Sequence, residues 1–124
     1  MHNQPSIEEL VAAVKSFVDE TAGPELKGHA AFHARVASNV LATVLRDLQQ
    51  RPSAEDAERQ GLLTLLGETA EGSVDVLNRM LSDQIQSGEM GIETAGLLAH
   101  LKRTTMAQVE IDQPRYSGLK NAKS

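Results

Sequence analysis

One stripe of a predicted helix carries three polar side chains that could hold an anion. Arg35, Asn39 and Arg46 lie on the side of this helix away from its apolar centre, bordered by Phe32 and Thr43. Two guanidinium groups and an amide can bind a phosphate or a carboxylate through paired hydrogen bonds. A structural role is the alternative, because partly buried polar groups in helical bundles usually pair with neighbouring helices. The stripe is therefore a candidate site for an anionic ligand, with the structural reading left open.

A second set of residues has the spacing of metal ligands. Glu25, His29 and His33 follow one another at intervals of four, which would stack them on one face of a continuous helix. However, Gly28 can delay the helix start and take Glu25 out of line, and His33 falls in an apolar arc where histidine is more often a packed residue. We therefore expect no metal and no cofactor, and keep this trio only as a weak candidate.

The common catalytic motifs are missing from the sequence. It has no nucleophile elbow, glycine-rich phosphate loop, H-E-x-x-H motif or dinucleotide fingerprint. It also has no cysteine, which excludes thiolate nucleophiles and disulfides. The carboxylates mostly fall on outer helix faces, where a charge is usually just solvated. Enzymatic activity is therefore uncertain, and a binding role is favoured over it.

The elements that must position these residues are helices, because the periodicity is helical from end to end. We predict five helices, from about Ser6 to Thr21, from Glu25 or Gly28 to Gln50, from Ser53 to Gly67, from Ser73 to Gly88, and from near Gly91 to Ile111. Their short connections favour an antiparallel arrangement. The predicted fold is all-α, a single-domain antiparallel bundle over residues 1–116, followed by a disordered tail at 117–124.

The second predicted helix has an unusually wide apolar arc. This arc contains Phe32, Val36, Val40, Leu41, Val44, Leu45 and Leu48. A helix with so wide an arc is packed on several sides, so we expect it to be central and Leu41 to be a core residue. Four other helices of one small bundle cannot easily cover the arc, which predicts a homodimer.

Composition excludes several functional classes. The net charge of -5, the single tyrosine, two phenylalanines and no tryptophan argue against nucleic-acid binding. The apolar stretches are only a few residues long, which predicts no membrane contact by a spanning helix. No signal peptide is recognisable at the N-terminus, and the lack of cysteine suits a reducing compartment. We therefore expect a cytoplasmic protein.

Short motifs spread along the chain point to a family. They comprise Phe32-His33-Ala34-Arg35-Val36-Ala37-Ser38-Asn39, Leu77-Asn78, Leu98-Ala99-His100-Leu101 with Thr104, and Asp112-Gln113-Pro114-Arg115-Tyr116. With these motifs the chain resembles a small bacterial, all-helical family of unknown function, often encoded beside acyl-CoA dehydrogenases and aminoglycoside-phosphotransferase-like kinases. The resemblance extends from the first helix to Tyr116 and supplies no established activity.

The resemblance implies an accessory or interaction protein linked to acyl-CoA metabolism. Its partner would be the acyl-CoA dehydrogenase or the kinase-like protein. The alternatives are a binding module that holds an acyl-CoA or a phosphate ester at Arg35, Asn39 and Arg46, or an uncharacterised enzyme. The tentative ligand-binding residues are Arg35, Asn39, Arg46, Asn78, His100 and Tyr116. Those of these residues that lie in the family motifs would fit a ligand pocket. They would fit equally well a buried hydrogen-bond network that orients the C-terminal segment.

The segment Asp112–Tyr116 is expected to dock on the helices. Pro114 prevents the helix from continuing, and the ring of Tyr116 needs a place to pack. The stripe of Arg35 and Asn39 would offer donors to it. A frayed end with Tyr116 in water is the alternative.

Overall fold

The structure, a computed structural model, describes residues 4–123, and these form helices, turns and bends without any strand. The all-α fold class is therefore confirmed. The chain divides between Arg51 and Pro52 into two compact units. A single domain over residues 1–116 stays a prediction. None of the helices described has a stretch long and apolar enough to cross a bilayer.

The first unit opens with helix α1 (Ile7–Ser16), which begins at a capping box. The Ser6 hydroxyl accepts a hydrogen bond from the Glu9 N–H (3.1 Å), and the Glu9 carboxylate accepts one from the Ser6 N–H (3.2 Å). This start was predicted, but the helix does not continue to Thr21 in α form. Instead the chain passes into a π-helix (Phe17–Ala22) and then into the short helix α2 (Gly23–Glu25).

Gly23 explains part of this difference. Its N–H bonds to the carbonyl oxygen of Val18, five residues back, and closes the wider π turn. A Cβ at Gly23 would lie only 2.7 Å from that same oxygen. The turn therefore depends on a residue without a side chain, a requirement that the amphipathic pattern of the helix does not reveal.

Helix α3 (His29–Leu66) is the longest element and contains Pro52 in its interior. The predicted break between Gln50 and Ser53 is wrong. Proline removes one backbone hydrogen bond and disfavours the helical conformation of the residue before it, but strong helix formers flank it on both sides. In addition, Arg51 forms an ion pair along the helix with Asp47 (2.5 Å). The helix runs through the proline, which marks the division between the two units.

The second unit contains the C-terminal part of α3 and two further long helices, α4 (Val74–Gln86) and α5 (Leu97–Asp112). The Ser73 hydroxyl caps α4 by accepting from the Val76 N–H (3.2 Å), as predicted. The predicted start of α5 near Gly91 is wrong, because Gly91 and Thr94 close a turn with two hydrogen bonds of 2.9 Å. Gly96, with φ of +83°, then leads into the helix.

Residues 117–123, for which we expected a disordered tail, form helix α6 (Ser117–Lys123) in the structure. Leu119 is only 6% exposed, and α6 packs against α5. The Lys123 ammonium also lies 2.5 Å from the Glu110 carboxylate of α5. One apolar side chain and one ion pair thus hold a segment whose composition is otherwise small and polar. The last residue, Ser124, lies outside the described residues.

The buried core belongs to the second unit. Its central cluster is Leu62, Leu77, Leu81, Met90 and Leu97. Within residues 4–51 of the first unit, by contrast, no side chain is fully buried, and Leu41 and Leu45 are half-buried. The expectation of a core along the second predicted helix is therefore wrong, because the apolar residues on the far side of its arc, from Phe32 to Val44, remain exposed.

Candidate functional site

A cavity of about 320 Å³ lies within the second unit between α3 and α5. Three residues of α3 and six of α5 line it, namely Ala54, Ala57, Glu58, His100, Arg103, Thr104, Met106, Ala107 and Glu110. Most of these positions follow helical spacings of three and four, so each helix presents one face to the cavity. Small apolar walls with a few converging polar groups are typical of a small-molecule site.

His100 is the most deeply placed polar residue of the cavity. The residue is 2% exposed, and among residues 4–123 no side chain forms a hydrogen bond with its ring. No side-chain nitrogen or oxygen of residues 4–123 is sealed from solvent without a partner, so the unbonded ring nitrogens of His100, which lines the cavity, remain accessible to solvent. Burial lowers the pKa of His100 below 6.5, with Arg103 adding to the effect and Glu58 opposing it. The imidazole is therefore neutral near pH 7, with one donor and one acceptor nitrogen.

Gly61 makes room for this imidazole. A Cβ built at Gly61 would lie 2.8 Å from Cε1 of His100 and nearer still to Nδ1. The α3 backbone and the His100 ring are therefore in direct contact at this point. The glycine fixes the position of the ring at the edge of the cavity.

Three charged side chains line the same cavity as the imidazole. Glu58 accepts a hydrogen bond from the Asn78 side chain of α4 (3.2 Å), and Glu110 is paired with Lys123 (2.5 Å). None of the ion pairs within residues 4–123 involves Arg103, which is exposed at the rim. The cavity thus offers an unpaired cation, a neutral imidazole and a carboxylate held in place by an amide.

The Thr104 hydroxyl is used structurally. It donates to the backbone carbonyl oxygens of His100 (3.1 Å) and Leu101 (3.2 Å). Since its hydrogen points to the helix backbone, this hydroxyl is not arranged as a nucleophile activated by His100. The geometry favours binding over covalent chemistry.

A second cavity of about 320 Å³ lies in the first unit, and Arg35 and Asn39 both line it. The facing wall includes Val18 and Asp19 of the π-helix. Hydrogen bonds from Lys15 (2.7 Å) and from Ser38 lower the pKa of Asp19. This carboxylate remains ionised above acidic pH and adds a negative charge, paired with Lys15, to the cleft that Arg35 and Asn39 line.

Arg46 does not complete that cleft. Its guanidinium donates to the Thr43 hydroxyl (3.0 Å), and it is not among the residues that line the cavity of Arg35 and Asn39. A one-turn interaction along the same helix explains its position. The predicted trio of Arg35, Asn39 and Arg46 is therefore brought together only in part.

Tyr116 lines a separate shallow cleft of α5 and its C-terminal turn, with Val109, Asp112 and Gln113. Its ring lies against Gly118, where a Cβ would be 2.8 Å from Cζ, and it is 56% exposed. Tyr116 therefore does not share the cavity of His100. The docking of Asp112–Tyr116 on Arg35 and Asn39 stays a prediction.

The weak metal candidate is not assembled. Glu25 ends α2, Leu26 is extended, and Gly28 has φ of +61° before α3 begins at His29. The break takes Glu25 off the helix of the two histidines. Within the described part of the chain, no three His, Asp or Glu side chains are grouped for metal binding.

Sequence reasoning identified Asn78 and His100 but missed Glu58 and Arg103, which complete the cavity. Both are charged residues on amphipathic helices, where charge usually means a solvated face. The signal that could have found Arg103 is its place three residues after His100, on the same helix face. Glu58 gave no such signal, because only the packing of α3 against α4 and α5 brings it to the site.

Comparison with protein families places most of the chain in a known family. A model described as a domain of unknown function (DUF6285) matches residues 24–116. This range includes every residue of the cavity between α3 and α5. No curated protein matches the chain, and no solved structure matches it.

Proposed function

We propose that this chain, which belongs to the DUF6285 family, is an accessory protein that works by binding, and that its His100 cavity holds a small carboxylate. The observation that carries this proposal is His100 itself. It is 2% exposed, has no hydrogen-bonding side chain at its ring, and faces a cavity with apolar walls. The unbonded ring nitrogens are accessible to solvent, and a ligand in the cavity can supply a hydrogen bond to the neutral imidazole.

Arg103 and Glu58 define the chemical class of the ligand. The unpaired guanidinium of Arg103 fits a carboxylate, which can accept two hydrogen bonds from it. The Glu58 carboxylate, held by Asn78, fits a hydroxyl or amino group that donates a hydrogen bond. The methyl groups of Ala54, Ala57 and Ala107 would contact a short carbon chain between the two ends. The ligand is therefore a short carboxylic acid with a hydrogen-bond donor.

The size of the cavity narrows the class further. A volume of about 320 Å³ is at the lower end of the range for small-molecule pockets, roughly 300 to 1,000 Å³. It accommodates a short acid but not a complete coenzyme A thioester. The link with acyl-CoA metabolism rests on the family resemblance. In that case the bound molecule would be the free acid and not its coenzyme A thioester.

Titration of the protein with 3-hydroxybutyrate, followed by NMR of the His100 ring signals, tests the site. Butyrate lacks the hydroxyl group and 1,3-butanediol lacks the carboxylate, and both serve as comparison probes. We expect 3-hydroxybutyrate to bind at least about tenfold more tightly than either, since each charged hydrogen bond contributes roughly 1.5 to 3 kcal/mol. Absence of any ring shift with all three probes would overturn the proposal.

Matched variants locate the binding. Arg103→Gln and Glu58→Gln should each weaken 3-hydroxybutyrate binding about tenfold or more. Arg79→Gln is the control, because Arg79 is an exposed arginine of the same unit that does not line the cavity. Equal losses in Arg79→Gln and Arg103→Gln would assign the effect to net charge and reject the site.

Association with the acyl-CoA dehydrogenase or the kinase-like protein is the second part of the accessory role. Co-expression of the full chain with each neighbour and co-purification at physiological salt test it. We expect a stable complex with one of the two. If neither protein co-purifies with the chain, the interaction role is rejected. The titration then tests the ligand site by itself.

A further inference from the structure

The first unit exposes two rows of large apolar side chains. One row is on α1 and the start of the π-helix, and the other is on α3; together they are Ile7, Leu10, Val14, Phe17, Phe32, Val36, Val40 and Val44. We call these eight residues the apolar surface. Each is between 37% and 67% exposed. The spacings of three and four in each row place its members along one side of their helix.

Hydrogen bonds within the unit fix the two rows relative to one another. The Gln49 amide donates to the Glu8 carboxylate (2.7 Å), and the Ser38 hydroxyl hydrogen-bonds the carboxylate of Asp19. The residue numbers in these contacts increase along the N-terminal segment while they decrease along α3, so the two segments run antiparallel. Val14 therefore lies level with Val44 and Phe17 with Val40, so the two rows overlap along the unit at these four residues.

The apolar surface is large for a monomer. Its exposed fractions add up to the surface of about four fully exposed residues, or roughly 600 to 800 Å² at about 150 to 200 Å² each. The largest apolar patch on a typical monomer measures about 300 to 600 Å². A standard protein interface buries about 800 Å² on each partner. The surface thus has the area that one side of a stable dimer requires.

We propose that the apolar surface is the interface of a homodimer, occupied by the same surface of a second copy. A twofold axis would bring two antiparallel helix pairs together into a four-helix arrangement, which is a common way to cover such rows. The nearby charges Lys15 and Asp19 already pair with one another (2.7 Å), so the surface does not require a partner of opposite charge. Two copies would bury roughly 1,200 to 1,600 Å² in total, within the range of specific interfaces.

Sedimentation equilibrium of the full chain tests the proposal. From about 1 to 100 µM, a range that covers micromolar affinity, we expect a species of twice 13.4 kDa. A 13.4 kDa species throughout this range would overturn it. The proposal would also be overturned if the chain is monomeric alone and binds a different protein through the apolar surface.

Two valines of equal exposure provide matched variants. Val36 on the apolar surface and Val76 on α4 are both 43% exposed. Val36→Glu should weaken dimerisation about tenfold or more by placing a carboxylate in the interface, whereas Val76→Glu should leave it unchanged. Circular dichroism checks that both variants remain helical. Equal association constants for the two variants would contradict the assignment.

A cross-linking experiment gives an independent readout. The chain has no cysteine, so a short thiol-reactive cross-linker can act only at an introduced residue. Val40→Cys should form a covalent dimer at low protein concentration, and Val76→Cys should not. The dimer does not depend on the His100 cavity, so loss of carboxylate binding in Arg103→Gln should leave sedimentation unchanged.

Discussion

At the scale of single residues, the contact between Gly61 and His100 sets the geometry of the cavity. An alanine in an ordinary helix interior stabilises it by about 1 kcal/mol relative to glycine. At Gly61 the added methyl group would meet the imidazole, with 2.8 Å to Cε1. We therefore expect Gly61→Ala to lower the free energy of unfolding by roughly 1 to 3 kcal/mol. Urea denaturation followed by circular dichroism measures this change.

The same substitution in a His100→Ala background is its control. Without the imidazole the methyl group has space, so Gly61→Ala should become neutral or stabilising there. The difference between the two backgrounds is the coupling free energy of the pair. Identical losses in both backgrounds would place the steric conflict elsewhere.

His100 also predicts a pH dependence of stability. Its pKa is lowered in the folded chain, so the unfolded chain binds more protons between the folded pKa and the ordinary value of 6.5. The contribution of His100 to the free energy of unfolding should therefore decrease as the pH falls below 6.5. Well above pH 6.5 this contribution should be constant. His100→Gln should flatten the profile in this range, while His33→Gln, at an exposed residue, should not. Thermal unfolding at a series of pH values distinguishes the two.

Two residues of the candidate site could be identified before the structure, one in the cavity wall and one that holds Glu58. Asn78 and His100 belong to motifs shared with a family, whereas Glu58 and Arg103 have the same appearance in sequence as any solvated charge. The role of Glu58 depends on its hydrogen bond with Asn78, 20 positions along the chain. Such a pairing follows from tertiary packing, which local periodicity does not contain.

At the scale of elements, α6 holds the C-terminus through one leucine. Leu119 is 6% exposed, so Leu119→Ala should cost about 2 to 4 kcal/mol and lower the melting temperature by several degrees. Lys120→Ala changes an exposed neighbour in the same helix and should have little effect. Equal melting temperatures for Leu119→Ala and the unmodified chain would mean that α6 does not pack on α5 in solution.

The helix boundaries show which local signals are sufficient. Helix starts were predicted at Ser6 and Ser73, and in the structure each caps its helix by accepting from the N–H of a residue three positions later. Pro52 and Gly91, by contrast, did not mark the helix boundaries that were predicted from them. The first is tolerated inside α3, and the second belongs to a turn closed by Thr94. A helix-breaking residue disfavours the helix locally. The packing of the rest of the unit determines whether the helix nevertheless continues.

At the scale of the whole molecule, the width of an apolar arc did not indicate where the core lies. The arc of the second predicted helix divides between half-buried leucines and exposed valines of the first unit. The core forms instead around Leu62 in the C-terminal part of α3 and Leu77 of α4. Apolar residues that cover a partner surface and those that fill a core follow the same periodicity, so sequence alone does not separate them.

This division of roles can be measured by comparing two leucines. Leu77 is 0% exposed and central to the core cluster, so Leu77→Ala should cost about 2 to 5 kcal/mol, the range for a buried leucine that leaves a cavity. Leu41 is half-buried, and Leu41→Ala should cost less, about 1 to 2 kcal/mol, because less apolar surface returns to water. Urea denaturation of both variants at one protein concentration gives the comparison. A larger loss for Leu41→Ala would return the core to the second predicted helix, whereas a larger loss for Leu77→Ala leaves the first unit free to use its apolar residues for association.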